Sequence, residues 1–402
     1  MSQSGSPITD TPIGCCVISP FTEQRGGAEL SLIHLLEGGA AHGVNWSLAV
    51  PRDGEIAERA RAAGLDVTLT QAGRLRDVVG YVRSVARVRS AVRRNRAKLV
   101  LAWMPHSHWW GLAAASAAGV PSAWFQKDRA LPDRRSTRLT SKLPCRGILA
   151  NSPYTARLQA KMSPNRPIHI VPSAVDLGRF DPDALGSPAD CRRALGLRTD
   201  VRLVGLVGRL QIWKGIDTAI RAIARLGHRA ETVNLVVVGG PHPTEPDHRA
   251  TLHSLATELA VADRIHFAGR VPHEEVPRYM QACDLMLHAS RLEPFGIVVL
   301  EAMALGKPLV AADDGGPRDT VTHGRDGLLA PFGDPEAVAA CLGRLLDNPD
   351  ESARLASAAR TTAASYSIDI FRRRAADAIR SLLRPTQPGV YLDGNPLSEF
   401  RV

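Results

Sequence analysis

Two glutamates, Glu293 and Glu301, stand on either side of Pro294-Phe295-Gly296 in the second half of the chain. The apolar run Asp284 to Leu287 leads into them, and Ile297 to Leu305 has helical character closed by Gly306, a sensible C-terminal stop. A helix opening at Gly296 presents unpaired N–H groups and the positive end of its dipole, which together suit a phosphate. At a rise of about 1.5 Å per residue, Glu301 lies about 7 Å along the axis from those amides, roughly the span from a diphosphate to its ribose. One carboxylate can then grip ribose hydroxyls while the other, Glu293, addresses the group beyond the phosphates. Upstream, the strand-like Leu203 to Val207 runs into Gly208-Arg209 and then Lys214-Gly215. Ligands of α/β sheets gather at the carboxyl ends of strands, so Arg209 and Lys214 leave the sheet where they can neutralise a departing diphosphate. Taken singly, two glutamates or an Arg and a Lys also read as solvated surface charges.

The first half offers a weaker set. Arg25-Gly26-Gly27-Ala28-Glu29 lies between the first strand and the first helix. Its two glycines let backbone N–H groups approach a ligand, but it is neither G-x-G-x-x-G nor a P-loop. His106 and His108 follow the strand Leu99 to Trp103 and suit acid, base or hydrogen-bonding roles, or else pack against Trp109 and Trp110. Asp181-Pro182-Asp183 has metal-binding spacing but no apolar strand before it, so it reads as a turn. No H-E-x-x-H, Cys/His cluster or G-x-S-x-G occurs, so zinc and serine hydrolases lack support and no metal site is expected.

Short apolar runs alternating with amphipathic stretches must position these groups. In the first half the runs are Gly14 to Ser19, Asn45 to Pro51, Leu99 to Trp103, Ser122 to Phe125, Gly147 to Ala150 and His169 to Val171. After a turn-rich stretch, Asp176 to Pro188, which reads as a linker, the pattern restarts with Val201 to Val207, Asn234 to Val238, Arg264 to Phe267, Asp284 to Leu287 and Pro308 to Ala311. Brief buried runs alternating with helices imply two doubly wound parallel α/β lobes. The expected division is 1–180 with a returning C-terminal segment 367–402, and 190–366. Ser367 to Leu383 reads as a helix, and Pro385 to Val402 as irregular.

At 402 residues the chain has length for two or three domains, and 44% hydrophobic with 22% charged residues is ordinary for a globular protein. No apolar run is long enough to span a bilayer, and Met1 to Asp10 lacks the order of a secretory signal, so a cytoplasmic location is expected. Cys15, Cys16, Cys145, Cys191, Cys283 and Cys341 show no C-x-x-C spacing and read as buried, reduced thiols. The formal charge of +10 suits an acidic partner. Val78, Val82, Val85, Val88 and Val92 recur near helical spacing among arginines, a pattern read as a core-facing helix with a solvated basic face. The basic segments 83–98 and 127–146 are also candidates for contact with anionic lipid. No aromatic-basic interleaving appears, so nucleic acid is not an expected partner.

Four segments together resemble the retaining glycosyltransferases of family 4, which have the two-lobed GT-B fold. Glu293-Pro-Phe-Gly-Ile-Val-Val-Leu-Glu301 is similar to their E-x7-E signature, and Gly208-Arg209 to Lys214-Gly215 to their G-R-x-x-x-x-K-G loop. Val171-Pro-Ser-Ala-Val-Asp176-Leu-Gly-Arg-Phe180 resembles V-P-N-G-V-D-x-x-x-F, and Gly26-Gly27-Ala28-Glu29 resembles G-G-A-E. The resemblance implies two Rossmann-like lobes facing a central cleft, with a C-terminal helix crossing back to the first lobe. It implies that Arg209 and Lys214 bind a donor diphosphate, Glu301 the ribose, and Glu293 the transferred sugar. The amides of Phe295, Gly296, Ile297 and Val298 would take phosphates or sugar, Gly26 and Gly27 would border the phosphates, and Val271 would lie near the base. Gly315-Gly316-Pro317 would stand beside the site.

The implied activity is metal-independent, retaining transfer of a hexose from a UDP- or GDP-sugar to a hydroxyl acceptor, with no cofactor. The acceptor class would be a bacterial polysaccharide, glycolipid or natural product, and the protein would be cytoplasmic or peripheral on the inner membrane face. Gln126 stands where many relatives carry a His, so a histidine meeting the sugar must be His106 or His108. Ser173 and Leu30 depart from the family's Asn and Arg. An isomerase or hydrolase on the same scaffold, and a basic nucleic-acid binder, are the alternative readings.

Overall fold

A computed structural model describes residues 12–24, 26–71, 77–129, 135–385, 387–393 and 395–396. The chain divides into two units: one runs to Ser173 and resumes at Ile368, and the other is Ala174–Ser367. Met1 to Asp10, Arg25 and Arg134 lie outside the described residues.

The first unit contains strands β1 (Ile13–Ile18), β2 (Val44–Val50), β3 (Asp66–Leu69), β4 (Ala97–Trp103), β5 (Ser122–Gln126), β6 (Gly147–Ala150) and β7 (Pro167–Ile170). The second unit contains β8 (Arg202–Val207), β9 (Val233–Val238), β10 (Ile265–Gly269), β11 (Leu285–His288), β12 (Leu309–Ala312) and β13 (Leu328–Ala330). The returning segment adds β14 (Gly389–Leu392) and β15 (Asn395–Pro396) to the first sheet. The orders are β15-β14-β7-β6-β5-β4-β1-β2-β3 and β10-β9-β8-β11-β12-β13. Every pair is parallel except β14 with β15. Strands β5, β6, β7, β9, β11 and β12 are buried along their whole length, as parallel strands covered by helices on both faces must be.

Three features differ from the sequence reading. The stretch read as a linker carries helix Pro182–Leu185 and ends where helix Pro188–Leu195 begins, both within the second unit, and Phe180, only 2% exposed, is part of that unit's core. A lone aromatic among turn residues has no period, so its burial is invisible until it packs. The tail beyond Pro385 is not wholly irregular: Val390 is buried where β14 pairs with β7. Asp66–Leu69 and Leu328–Ala330 are strands too short to stand out. The helix Ile368–Leu382 does return to the first unit, where Phe371 is buried, Arg372 Nε donates to the His34 carbonyl at 2.7 Å, and the Leu382 carbonyl accepts from Arg146 Nε at 2.8 Å.

Candidate active site

Each sheet has one place where neighbouring strands send their connections in opposite directions. In the second unit it lies between β8 and β11, and in the first between β1 and β4. A crevice opens at the carboxyl ends of such a pair. The chain leaving β8 carries Arg209 and Lys214, and the chain leaving β11 carries Glu293.

After β8 the chain forms a 3-10 turn, Ile212–Lys214, and then helix Ile216–Ala224. Gly215 joins them at φ 67°, and a Cβ there would sit 2.1 Å from the Ala289 carbonyl oxygen. Only glycine lets this loop lie against the segment leaving β11. The Arg291 N–H, donating to the Trp213 carbonyl at 2.7 Å, locks the two together. As a result Lys214 Nζ donates to Glu293 Oε2 at 2.6 Å, with both side chains 14% exposed. The ammonium also stands 4.1 Å from the Trp213 ring centroid. Burial alone would push the Glu293 carboxyl up; the Lys214 ammonium, with His288 beside it, outweighs that and holds it below the usual carboxylate range. Arg209 is exposed and has no side-chain partner among the described residues.

A second loop supports the glutamate. The Gly316 N–H donates to the Glu293 carbonyl at 2.7 Å, and the Leu292 N–H to Asp314 Oδ2 at 3.0 Å. Gly315, at φ 66°, has room only for a hydrogen, since a Cβ would lie 2.4 Å from the Glu293 carbonyl oxygen. Helix Ile297–Ala304 begins at Gly296, as the spacing predicts; the Val299 N–H donates to the Gly296 carbonyl at 2.9 Å, and the amides of Ile297 and Val298 precede the first intrahelical bond. Glu301 lies on this helix, 4% exposed, and burial pushes its carboxyl up to about 7 against the opposing charge of Arg179. Phe295 is buried, its ring 6.1 Å from that of Tyr366, so its side chain anchors the loop. Val271, just past β10, packs partly buried on the same core as Ile297 and Val298.

His288 is a residue the sequence reading passed over. It ends β11, is 4% exposed, and its Nε2 lies 3.7 Å from Glu293 Oε2. Its Nδ1 has no hydrogen-bond partner among the described residues. The available signal was its place at the carboxyl end of the strand before Glu293.

In the first unit, Gly26 and Gly27 are exposed at the start of helix Gly27–Leu36, and Trp103 Nε1 donates to the Ala28 carbonyl at 2.9 Å. His106 is exposed in the turn Pro105–Ser107 that follows β4. His108 corrects the expectation of an acid, base or sugar contact. It is fully buried, its Nε2 is 3.1 Å from the Pro144 carbonyl, and its ring lies 4.8 Å from that of Trp124. Burial pulls the ring down to about 4, so it is a neutral core group at physiological pH. Gln126 Nε2 is committed to Asp128 Oδ1 at 2.6 Å. The next residue, Lys127, is enclosed by the rings of Trp103, Phe125 and Phe371, with Nζ donating to Ser173 Oγ at 3.1 Å.

Among the described residues no cluster of three or more His, Cys, Asp or Glu could hold a metal ion, and no helix is long and apolar enough to cross a membrane. The six cysteines are free thiols, four of them buried.

Comparison with known proteins matches residues 25–179 to the Glycosyltransferase Family 4 model and residues 189–362 to Glycosyl transferases group 1. A D-inositol 3-phosphate glycosyltransferase of Frankia alni is 34% identical over 71% of this chain and 75% of its own length. A namesake from Corynebacterium urealyticum is 35% identical over 55% of this chain and 52% of its own length. The chain thus spans little more than half the length of some of the curated relatives it matches. Among solved structures, an Anabaena protein in complex with UDP and glucose shares 24% identity over 92% of this chain and all of its own, with a TM-score of 0.78. A glycosyltransferase of Rickettsia africae shares 17% identity over 93% of this chain and all of its own, with a TM-score of 0.80.

Proposed function

The chain belongs to the glycosyltransferases that join a family 4 domain to a group 1 domain, and from that premise we propose that it moves a hexose from a nucleotide diphosphate sugar to a hydroxyl acceptor, with retention and without a metal ion. The Lys214–Glu293 pair beside the start of helix Ile297–Ala304 carries this reading. As the bond between sugar and diphosphate breaks, negative charge collects on the leaving phosphate. Arg209, Lys214 and the first-turn amides of Ile297 and Val298 meet it, which is the dominant catalytic contribution. Glu301 takes the ribose hydroxyls, Glu293 the sugar, and Val271 borders the base. A phosphate oxygen on the face of the departing group accepts the proton of the incoming hydroxyl, which forms the new glycosidic bond on that same face. Gly26, Gly27 and His106 are the first unit's candidates for ligand contact.

The test is a thermal-shift screen against UDP, GDP and their sugars. A ligand that binds only the folded form at about a hundred times its Kd stabilises it by about 2.7 kcal/mol. A shift in the wild type that is lost in Lys214→Ala supports the reading, and no shift with any nucleotide overturns it. D-inositol 3-phosphate, the acceptor in the relatives' names, heads the acceptor panel. Measuring free against acceptor-linked sugar separates transfer from hydrolysis or isomerisation.

A second reading concerns membranes. Val88 and Val92 of helix Val78–Arg94 face the core, but Val78, Val79 and Val82 are 68%, 59% and 59% exposed, near the exposed Arg83. In the same unit, helix Arg135–Lys142 exposes Leu139, Arg138 and Lys142. Apolar side chains ringed by cations suit an anionic lipid surface at the inner membrane face. Cosedimentation with phosphatidylglycerol vesicles that vanishes with phosphatidylcholine, and weakens when the three valines become serine, supports this contact. Equal binding to both lipids overturns it.

A further inference from the structure

Among the described residues, two titratable groups act on the Glu293 carboxylate. Lys214 Nζ reaches its Oε2 at 2.6 Å and His288 Nε2 faces the same oxygen from 3.7 Å. The nearby carboxylate of Asp314 is occupied by the Leu292 N–H. Among the described residues Lys214 is thus the one group within hydrogen-bond distance of the Glu293 carboxylate, and the reading above also assigns Lys214 to the donor diphosphate. One ammonium with three N–H donors must then divide itself between two anions. A buried carboxylate that loses its partner is strongly unfavourable and shifts or takes up a proton.

His288 is built to prevent this. Its Nε2 stands less than about 1 Å beyond hydrogen-bond range. Its Nδ1, buried and without a partner among the described residues, sets no hydrogen bond against a small swing of the ring. The strand that ends in His288 pairs with β8 and β12, so the backbone beneath the ring is fixed. We propose that His288 is a positioning residue that takes hold of the Glu293 carboxylate when the donor diphosphate draws Lys214 away. The inference rests on the assignment of Lys214 to the diphosphate.

Two kinds of measurement test it. The first needs no ligand: the thermal stabilities of His288→Leu, Lys214→Met and the double variant. Once Lys214 is gone His288 is the remaining counter-group, so the loss from His288→Leu is expected to be larger in the Lys214→Met background than in the wild type. Additive losses overturn the proposal. The second uses whichever sugar nucleotide the screen returns. In His288→Leu, UDP affinity stays within about twofold while kcat falls about tenfold to a hundredfold, the scale of a misplaced reacting group. The acid limb of kcat moves to higher pH, because Glu293 has lost a group that favours its ionised form. His288→Gln, which keeps an N–H donor, recovers most of kcat. Unchanged kcat and an unmoved acid limb in a folded His288→Leu that binds UDP overturn the proposal. Failure of the wild type to bind any nucleotide would instead sink the donor reading, and the stability cycle would still judge His288.

Discussion

Lys214 in the second unit pairs with Glu293 at 2.6 Å, whereas Lys127 in the first unit, more deeply enclosed, has among the described residues the Ser173 hydroxyl at 3.1 Å and three aromatic faces. Burial pulls the Lys127 amine well below its usual range, and among the described residues no carboxylate is close enough to pair with it. The histidines divide in a similar way. His288 faces a carboxylate, while His108 meets a backbone carbonyl and a tryptophan ring. Both lysines and both histidines follow or end a parallel strand, so strand position alone does not make a charge chemically useful. A buried charge remains a charge where a second charge is held within a few ångströms of it, and elsewhere the protein favours the neutral form.

The sharpest way to break this contrast is Lys214→Ala, expected to lower turnover by about a hundredfold or more with whichever sugar nucleotide binds. Turnover near that of the wild type would remove the second unit's claim to the chemistry. Histidines of the first unit come next. His106→Ala is expected to reduce turnover by about tenfold or more with the melting temperature unchanged, since the side chain is exposed. His108→Ala should do the reverse and destabilise by about 2 kcal/mol or more, because it empties a buried volume beneath Trp124. Parallel kinetics and melting curves of the two variants decide the point.

Smaller effects sharpen the comparison through pH. The folded-state pKa of Glu301 is raised to about 7, so the protein loses stability as pH climbs from the usual glutamate range to about 7. Glu301→Gln should therefore melt progressively higher than the wild type between pH 5 and 8, while binding nucleotide less tightly; a pH-independent difference would contradict the burial argument. Lys127 has the opposite sign. Its depressed folded pKa means that stability falls as pH drops below the usual lysine range, so Lys127→Met should gain a few degrees at pH 7 and less at pH 10. A loss at both pH values would show that the amine contributes an interaction beyond its bond to Ser173.

Much of this was legible in the chain. The apolar runs marked most parallel strands, because a strand buried on both faces must be apolar throughout. Gly296 and Gly306 bracketed the helix that carries Glu301, since glycine suits a helix terminus where few other residues fit. The burial of Phe180 and the strand β14 were not legible because neither has a period: each is buried only by what it packs against. His108 and Lys127 were misjudged or passed over for the same reason, as enclosure is a property of neighbours distant in sequence.

What the sequence determined alone was the two-lobed parallel architecture, the family, and the order of Arg209, Lys214, Glu293 and Glu301 along the chain, because periodicity, glycine placement and motif spacing act locally. Tertiary structure decided which of those charges meet, which histidine is sealed away and which lysine is enclosed by aromatic rings. Coulombic attraction and desolvation depend on distances through space, and loops as far apart as those after β8 and β11 acquire such distances only when the sheet brings their strands side by side.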